Sequence, residues 1–425
     1  MCAERRTRMP IALVMLLAFA LLINYVDRGS IGIAAPLIQK EFNLSPSEIG
    51  WVLSAFFWAY VALQPVAGWL ADRLGATLVL TVGFCVWAIA TALTGIAGGF
   101  IALVACRLLM GSGESVAYPS VTKLLATHVE TRHRVRATGT AMLGPIAGAA
   151  FGAFFGGLLM VHYGWRAMLI GLGVGSLLWL VPWLVWTRRH SESARASEAA
   201  GGPSTIAILK ERALWGGMLG IFCVNYAFYF VFTWAPLYLV QERGLSLTTM
   251  TQVTGSIYLV DGASILLSAW LIDKWVARGA SLNKAYKTSL ALAGAGVGIC
   301  LVASAGVGPT GAVVALLVMG AMDGMNGGMI GVVSQTFAGP SAAGRWVGIQ
   351  NAVGNVAGMV APVATGYLVQ QTGNYTAALL VSGGAALVGV IAWVVVTPAV
   401  RPIEWIVNDP STYGVKHPLR DARPV

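Results

Sequence analysis

Residues 68–75 read Gly-Trp-Leu-Ala-Asp-Arg-Leu-Gly, a short polar turn of the form G-x-x-x-D-R-x-G between two long apolar runs. On both sides of this turn, apolar runs alternate with brief polar connections along the chain. A helix needs about 20 apolar residues to cross a bilayer, and twelve runs are long enough. They lie at residues 11–39, 46–71, 77–97, 100–125, 135–161, 166–187, 213–241, 247–273, 284–305, 309–337, 343–370 and 374–397. The pattern predicts an all-α integral membrane protein with twelve transmembrane helices.

The composition supports this class and excludes several others. Of the 425 residues, 57% are hydrophobic and 10% are charged, whereas soluble proteins carry about 25% charged residues. The net charge of +10 comes from Lys and Arg scattered through short loops, which is unlike a nucleic-acid-binding patch. The five cysteines form no C-x-x-C pair, and the histidines lie in loops, tails or near span ends. We therefore expect no cofactor, no metal site and no enzyme activity.

The distribution of positive charge predicts the orientation. Most of the 27 Lys and Arg fall in connections that share a side with both termini, and the positive-inside rule makes that side cytoplasmic. We expect an uncleaved first span, a bacterial inner membrane location and a monomer. The predicted domains are an N-terminal six-helix bundle at 1–187, a cytoplasmic linker at 188–212, a C-terminal six-helix bundle at 213–397 and a cytoplasmic tail at 398–425.

The two halves share a glycine spacing. Three glycines of the fifth span recur 210 residues later in the eleventh: Gly144, Gly148 and Gly156 correspond to Gly354, Gly358 and Gly366. Duplicated halves that move against each other are typical of secondary transporters.

The turn at 68–75 resembles the signature loop of the major facilitator superfamily, which stands between the second and third of twelve spans. A second-half echo, residues 268–274, ends in Asp273 and Lys274 after the eighth span. The resemblance implies a conformational gate in which Asp72 pairs with basic residues and fastens one state. Its other members are Gly68, Arg73, Gly75 and Asp273.

Two further motifs resemble the anion:cation symporter branch of that superfamily, which includes bacterial sugar-acid and organic-acid importers, sialin and vesicular glutamate transporters. The first is Asn24-Tyr25-Val26-Asp27-Arg28, and the second runs from Arg107 to Glu114. The resemblance covers nearly the whole chain apart from the tails. It implies that Arg28 binds the anionic substrate and that Asp27 and Glu114 take up protons.

The chemistry of these residues agrees with those roles. A charge at the bilayer centre costs about 2.5 to 3.5 kcal/mol, so Asp27, Arg28 and Glu114 need partners or a function. Neighbours on a helix point about 100° apart, so Arg28 can face the cavity while Asp27 faces a helix interface. A guanidinium binds a carboxylate through two parallel hydrogen bonds, and a buried carboxyl group binds protons readily. The alternative is that these three residues form a structural ion network that pins the first span to the fourth. We expect Arg107 to brace the fourth span, with substrate contact as its alternative.

Four polar side chains complete the expected substrate site. Tyr25 and Tyr60 lie within spans and can donate hydrogen bonds to substrate oxygens. Asn351 and Asn355 of the eleventh span can orient a substrate hydroxyl, or they can hold helices together by hydrogen bonds.

Two acidic residues do not follow from the resemblance. Asp261 and Asp323 lie near the middle of the eighth and tenth spans. We expect Asp323 to receive a hydroxyl or an amine of the substrate, or to pair with a polar neighbour.

Together these observations predict a proton-coupled symporter that takes up an organic anion such as a sugar acid. The alternative is a proton-coupled exporter of amphiphilic compounds, because residues 144–148 read Gly-Pro-Ile-Ala-Gly, close to a fifth-span pattern of drug exporters. A membrane enzyme would need a nucleophile with its base, and a receptor would need a signalling domain. The expected partners are therefore a small organic anion, protons and the lipid bilayer, with no nucleic acid.

Overall fold

The computed structural model describes residues 10–189 and 203–405, which are almost entirely helical. The first half contains α1 (Ile11–Phe42), α2 (Pro46–Leu74), α3 (Ala76–Thr94), α4 (Phe100–His128), α5 (131–163) and α6 (165–189). The second half contains α7 (Arg212–Glu242), α8 (Leu247–Ala277), α9 (Leu282–Gly306), α10 (Pro309–Gly339), α11 (Ala342–Thr372) and α12 (Thr376–Val396). The twelve predicted transmembrane helices are therefore confirmed.

The first residues of the predicted N-terminal bundle, about half of the predicted linker and most of the predicted C-terminal tail lie outside the described residues. These parts are residues 1–9, 190–202 and 406–425. Within the predicted linker, Thr205–Leu209 form a short helix that Ser204 caps at its N-terminus.

Glycines with positive φ separate consecutive helices at three of the tight turns. Gly75 ends α2 at φ +90°, Gly164 separates α5 from α6 at φ +81°, and Gly339 separates α10 from α11 at φ +62°. A residue with a Cβ atom rarely adopts this conformation. The glycine that closes the motif at 68–75 is therefore required by the turn itself.

Small residues allow the helices of each half to pack closely. A Cβ atom added to Gly144 or Gly148 of α5 would collide with the backbone of Ala18 or Leu22 in α1. Likewise, a Cβ atom on Gly111 of α4 would collide with the carbonyl oxygen of Phe56 in α2. Such close backbone approach is how helices associate where no hydrophobic force drives them together.

The described chain ends at residues 10, 189, 203 and 405 all lie on one side, which we call the terminal face; the opposite side is the distal face. The halves pack together towards the distal face. There Gln241 Nε2 donates to Gln39 Oε1 at 2.8 Å, and the backbone N–H of Ser47 donates to Gln370 Oε1 at 3.2 Å. One to two turns deeper, Ser54 Oγ donates to the carbonyl of Met359 at 2.7 Å.

Towards the terminal face, three glycines on facing helices of the two halves have no close neighbour. A Cβ atom added at any of these positions would have no neighbour within 4 Å: Gly68 of α2, and Gly344 and Gly348 of α11. The hydrogen bonds given above that join the two halves across the cleft between them therefore lie towards the distal face.

Candidate functional site

An ion pair between α1 and α4 lies in the middle of the first half. Arg28 donates to Glu114 Oε2 from Nε at 2.9 Å and from Nη2 at 2.7 Å. Arg28 is 5% exposed, and Glu114 is fully buried. The two residues that sequence reasoning assigned to substrate and to proton are thus bound directly to each other.

This pair uses one carboxylate oxygen instead of two. Both Arg28 nitrogens share Oε2, and Glu114 Oε1 has no hydrogen-bond partner among residues 10–189 and 203–405. The strongest guanidinium–carboxylate pairs use two parallel N–H···O bonds to two oxygens. A carboxylate that offered both of its oxygens to Arg28 would therefore form a stronger pair than Glu114 does here.

Three aromatic rings enclose the guanidinium of Arg28. The rings of Tyr25, Phe56 and Tyr60 each have their centre 4.8 Å from its central carbon. A cation over an aromatic face gains about 2 kcal/mol when it is shielded from water. Asn24 adds an oxygen 3.2 Å from Nη2. The three rings and Asn24 therefore hold the guanidinium in place beside Glu114.

Asp27 points away from Arg28, as the spacing predicts. Its Oδ2 accepts a 3.3 Å hydrogen bond from Ser176 Oγ of α6, and Asp27 is fully buried. Its Oδ1 has no partner in the described residues, yet the carboxyl group lies near enough to Glu114 to interact with it electrostatically. Asp27 is therefore a buried carboxyl group at a helix interface and close to the ion pair.

Arg107 lies two turns before Glu114 on α4 and is buried. Its guanidinium contacts the sulfur of Met110 and lies 5.9 Å from the ring of Phe56. It interacts electrostatically with Glu114 and Asp27 without direct contact.

Tyrosine hydroxyls extend the site, and sequence reasoning missed two of them. Tyr118, one turn after Glu114, donates to the hydroxyl of Tyr25 at 3.4 Å. In the second half, Tyr229 of α7 donates to Asn355 Oδ1 at 2.7 Å, and its hydroxyl lies within electrostatic range of Arg28. The spacing of Tyr118 from Glu114, four residues on one helix face, was the available signal for the first.

The two predicted asparagines differ in their environment. Asn355 is buried and links α7 to α11 through Tyr229, while its amide nitrogen donates to the carbonyl of Asn351 at 2.8 Å. Asn351 is half-buried on α11. Asn355 thus makes the interhelical contact that was the alternative to substrate binding.

Asp323 does not contact this cluster. It lies beside Asp261, on the α8–α10 side of the second half. Tyr60 lies in the cluster, where its hydroxyl accepts from Gln64 Nε2 at 3.1 Å.

The predicted gate residues lie at the terminal face. Asp72 forms a 3.0 Å ion pair with Lys123 of α4, and Lys123 also donates to the carbonyl of Ala71 at 2.7 Å. Arg73 lies over the ring of Trp69 at 5.3 Å. In the second half Asp273 is exposed. The Asp72 ion pair joins two helices of the same half, so it does not itself bridge the cleft.

In the part of the chain that the structure describes, no group of three or more His, Cys, Asp or Glu side chains is arranged to hold a metal ion. The chemistry available to the central cluster is ion pairing, hydrogen bonding and proton binding.

Comparison with known proteins places this geometry in context. The sequence profile of the Major Facilitator Superfamily matches residues 17–359. A hexuronate transporter of Bacillus subtilis is 28% identical over 430 residues, covering 97% of this chain and 99% of that protein. A probable sulfoacetate transporter of Cupriavidus necator is 30% identical over 414 residues, covering 92% and 94%. A probable galactarate/D-glucarate transporter of Escherichia coli is 30% identical over 440 residues, covering 94% and 96%.

Solved structures share the fold at lower identity. A bacterial homologue of the human lysosomal transporter Spinster, in an inward-facing and unoccupied conformation, superposes with a TM-score of 0.72 at 17% identity, covering 93% of this chain and 96% of that one. A D-xylose–proton symporter superposes with a TM-score of 0.74 at 15% identity, covering 92% and 99%.

Proposed function

Because this chain belongs to the Major Facilitator Superfamily, we propose that it is a proton-coupled symporter that takes up an organic anion by alternating access. As a member of a transporter family it is a multi-pass membrane protein and not an enzyme. Three relatives are named as transporters of hexuronate, galactarate/D-glucarate and sulfoacetate, all of which are organic acids. Their similarity along more than nine-tenths of the chain supports an organic-acid substrate.

The observation that carries the proposal is the pair formed by Arg28 and Glu114. A buried arginine in an aromatic enclosure is a ready site for a carboxylate, and here an internal carboxylate occupies it. Substrate and Glu114 would compete for the same two N–H groups. Proton and substrate binding are thus linked through a single guanidinium.

The competition suggests an order of events. When Glu114 takes up a proton, it no longer holds Arg28 by charge, and Arg28 becomes available to the substrate. When the proton leaves, Glu114 displaces the substrate carboxylate. A bound proton frees Arg28 for the anion, and loss of the proton returns Arg28 to Glu114. The proton and the anion are therefore carried in the same direction.

Asp27 would serve as a second proton carrier in the same half. Its carboxyl group is buried, uses one oxygen for Ser176 and interacts with Glu114. Two nearby carboxyl groups in an apolar environment favour retention of a proton. An ionised Asp27 would repel the Glu114 carboxylate, so release of the Asp27 proton would favour a protonated Glu114 and a free Arg28.

Tyr25 and Tyr60, whose rings stack around Arg28, are placed to donate hydrogen bonds to substrate oxygens. Asn351, half-buried on α11, is the residue of the second half that we expect to orient a substrate hydroxyl. The sequence also predicts substrate binding by Asn355 and Asp323, although Asp323 lies beside Asp261 and apart from Arg28. Asn355 would act by holding Tyr229 opposite Arg28.

The orientation follows from charge. We infer that the terminal face is cytoplasmic, that the membrane is a bacterial inner membrane and that the protein works as a monomer. The domain assignment remains 1–187, 188–212, 213–397 and 398–425. The motif containing Gly68, Asp72, Arg73 and Gly75, with Asp273 in the second half, would form the cytoplasmic gate.

The exporter alternative rests on residues 144–148, and the structure gives this stretch a packing role. Gly144 and Gly148 pack against α1, and Ile146 contacts Gly262 of α8. Export of an amphiphilic compound is the alternative that the following experiment tests.

The test is a thermal-shift screen of the purified protein with sugar acids, dicarboxylates, sulfonates and cationic amphiphiles at acidic and neutral pH. We expect an organic acid to stabilise the wild type, more at acidic pH, and not to stabilise Arg28→Ala. The matched control is Arg166→Ala, which removes an arginine that pairs with Glu41 at the distal face at 2.7 Å. Stabilisation by cations alone, unchanged in Arg28→Ala, would refute the proposal in favour of export.

A further inference from the structure

An extended segment at the end of the described chain lies across the terminal face of the second half. We call residues 397–405 the C-terminal strap. The strap follows α12 and is not helical. Burial alternates towards its end, where Ile403 and Trp405 are half-buried while Pro402 and Glu404 are exposed. This alternation is typical of an extended chain that packs on one side.

The beginning of the strap is bound to the start of α9. Lys287 Nζ donates to the carbonyl oxygens of Val394 and Thr397 at 3.0 and 2.7 Å. One turn earlier on α9, Asn283 Oδ1 accepts a 2.8 Å hydrogen bond from the backbone N–H of Val400, which is buried. These contacts join the strap, the end of α12 and the start of α9.

The end of the strap caps α10. The backbone N–H of Ile403 donates to the carbonyl of Phe337 at 3.1 Å, and Nε1 of Trp405 donates to the carbonyl of Ala338 at 2.7 Å. Both carbonyls directly precede Gly339, which ends α10 with φ +62°. The last carbonyl groups of a helix have no partner within the helix itself. The strap therefore supplies hydrogen-bond donors that α10 lacks.

Ring contacts extend the hold of the strap to α11. The ring of Trp405 meets that of Trp346 on α11 edge to face at 6.3 Å, and Trp346 stacks on Phe337 of α10 at 6.0 Å. Trp346 and Phe337 are both buried. Such ring pairs are favourable beyond the area that they bury. The strap thus holds together the two helices on either side of Gly339.

The strap is attached at separate points instead of along its whole length. A cavity of about 470 Å³ lies between the strap, the start of α7 at Glu211 and Ala213, and the end of α10 at Phe337. Its strap side includes Arg401 and Pro402, both exposed. The end of the strap can therefore leave α10 through the loss of the few contacts just described.

Helix α11 connects the strap to the distal face. It is 31 residues long, which is about 45 Å at 1.5 Å per residue. Near its start Trp346 contacts the strap, and further along it the carbonyl of Met359 accepts from Ser54 of the first half. Close to its distal end Gln370 accepts from the backbone N–H of Ser47. The helix that the strap holds is thus one that joins the two halves.

We propose that the C-terminal strap is a latch that fixes the terminal end of α11 and thereby sets how often the two halves part at the distal face. With the strap in place, the terminal ends of α9, α10, α11 and α12 are joined and move as one unit. When Ile403 and Trp405 leave α10, the turn between α10 and α11 loses its cap. Helix α11 then tilts against the rest of its half, which weakens its contacts with α2.

The parting of the halves rests on the proposed alternating-access function. The hold of the strap on the turn between α10 and α11 does not depend on it.

The test is hydrogen–deuterium exchange of the purified protein without substrate, followed by mass spectrometry. In Trp405→Phe we expect backbone exchange at residues 335–348 to be about fivefold faster, the factor that corresponds to one net hydrogen bond. Trp405→Ala should be faster again, because it also loses the ring contact. In both variants residues 46–50 of α2 should exchange faster too. Trp270→Ala, which removes an exposed tryptophan of α8 near the same face, is the matched control and should resemble the wild type.

Wild-type exchange at residues 335–348 in Trp405→Ala would overturn the proposal. Faster exchange there with unchanged exchange at residues 46–50 would also overturn it, because the strap would then be only a local cap of α10. A chain that ends at Pro402 lacks both donors and provides the same reading if Trp405→Ala does not fold. The measurement needs no substrate, so its outcome is separate from whether an organic acid is transported.

Discussion

Removal of Arg28 should leave Glu114 as an unpaired buried charge, and this gives the most quantitative prediction. In the wild type Glu114 is fully buried and receives two hydrogen bonds from Arg28, at 2.7 and 2.9 Å. Removal of one member of a buried ion pair costs about 3–5 kcal/mol, because the other charge is left without compensation. Arg28→Ala should lose this much stability at alkaline pH. At acidic pH Glu114 can take up a proton and become neutral, so the loss should shrink by up to about 1.4 kcal/mol per pH unit.

The double variant Arg28→Ala/Glu114→Gln separates this effect from lost packing. It has no buried charge at the pair, so it should recover most of the stability that Arg28→Ala loses, with a coupling free energy of about 3 kcal/mol. The assay is denaturant unfolding in detergent micelles, followed by the fluorescence of the 15 Trp residues. Arg166→Ala, whose pair with Glu41 is partly exposed, should change stability by about 1 kcal/mol or less. Additive free energies in the double variant, or a loss in Arg28→Ala that does not depend on pH, would refute the reasoning.

Two further predictions concern the contacts across and within the halves. Gly50→Ala places a Cβ atom 2.6 Å from the carbonyl oxygen of Pro362 in the other half, and such overpacking costs about 1–3 kcal/mol. Because this contact joins the halves on the distal side, we expect spin-label distances across that side to increase in Gly50→Ala. Gly171→Ala, whose added Cβ atom would have no neighbour within 4 Å, should show no such change. Tyr229→Phe removes the 2.7 Å hydrogen bond to Asn355 and should lower stability by about 1–3 kcal/mol in the same unfolding assay; an unchanged midpoint would show that water replaces the hydroxyl.

The sequence was sufficient to predict the helices because the bilayer imposes a length on each of them. The turns at Gly75, Gly164 and Gly339 fall within a few residues of the predicted boundaries. The divergence of Asp27 from Arg28 also followed from helix geometry alone, since neighbours on a helix cannot face the same partner.

Contacts between helices were not predictable in the same way. They depend on the rotation of each helix about its axis, which the apolar pattern fixes loosely when a helix is apolar on most of its surface. Thus the sequence identified Arg28 and Glu114 but not their one-oxygen pairing, and it identified Asp72 but not Lys123 as its partner. Tyr229 was missed because its proximity to Arg28 depends on how the second half packs against the first.

The proximity of Asp261 to Asp323 was also not predictable from the sequence. Each was recognised as a charge within a span, and 62 positions of sequence separate them. Their proximity comes from the glycines of α10, which admit the backbone of α8.

The central claim is that substrate and Glu114 compete for Arg28, and the most direct test is the pH dependence of substrate affinity. The measurement is binding of the best organic acid from the thermal-shift screen, by titration calorimetry across acidic to alkaline pH, to wild type and Glu114→Gln. We expect wild-type affinity to fall by up to about tenfold per pH unit as Glu114 ionises, and Glu114→Gln to bind tightly with a much flatter pH profile. The same pH profile in both proteins, or undiminished binding to Arg28→Ala, would contradict it.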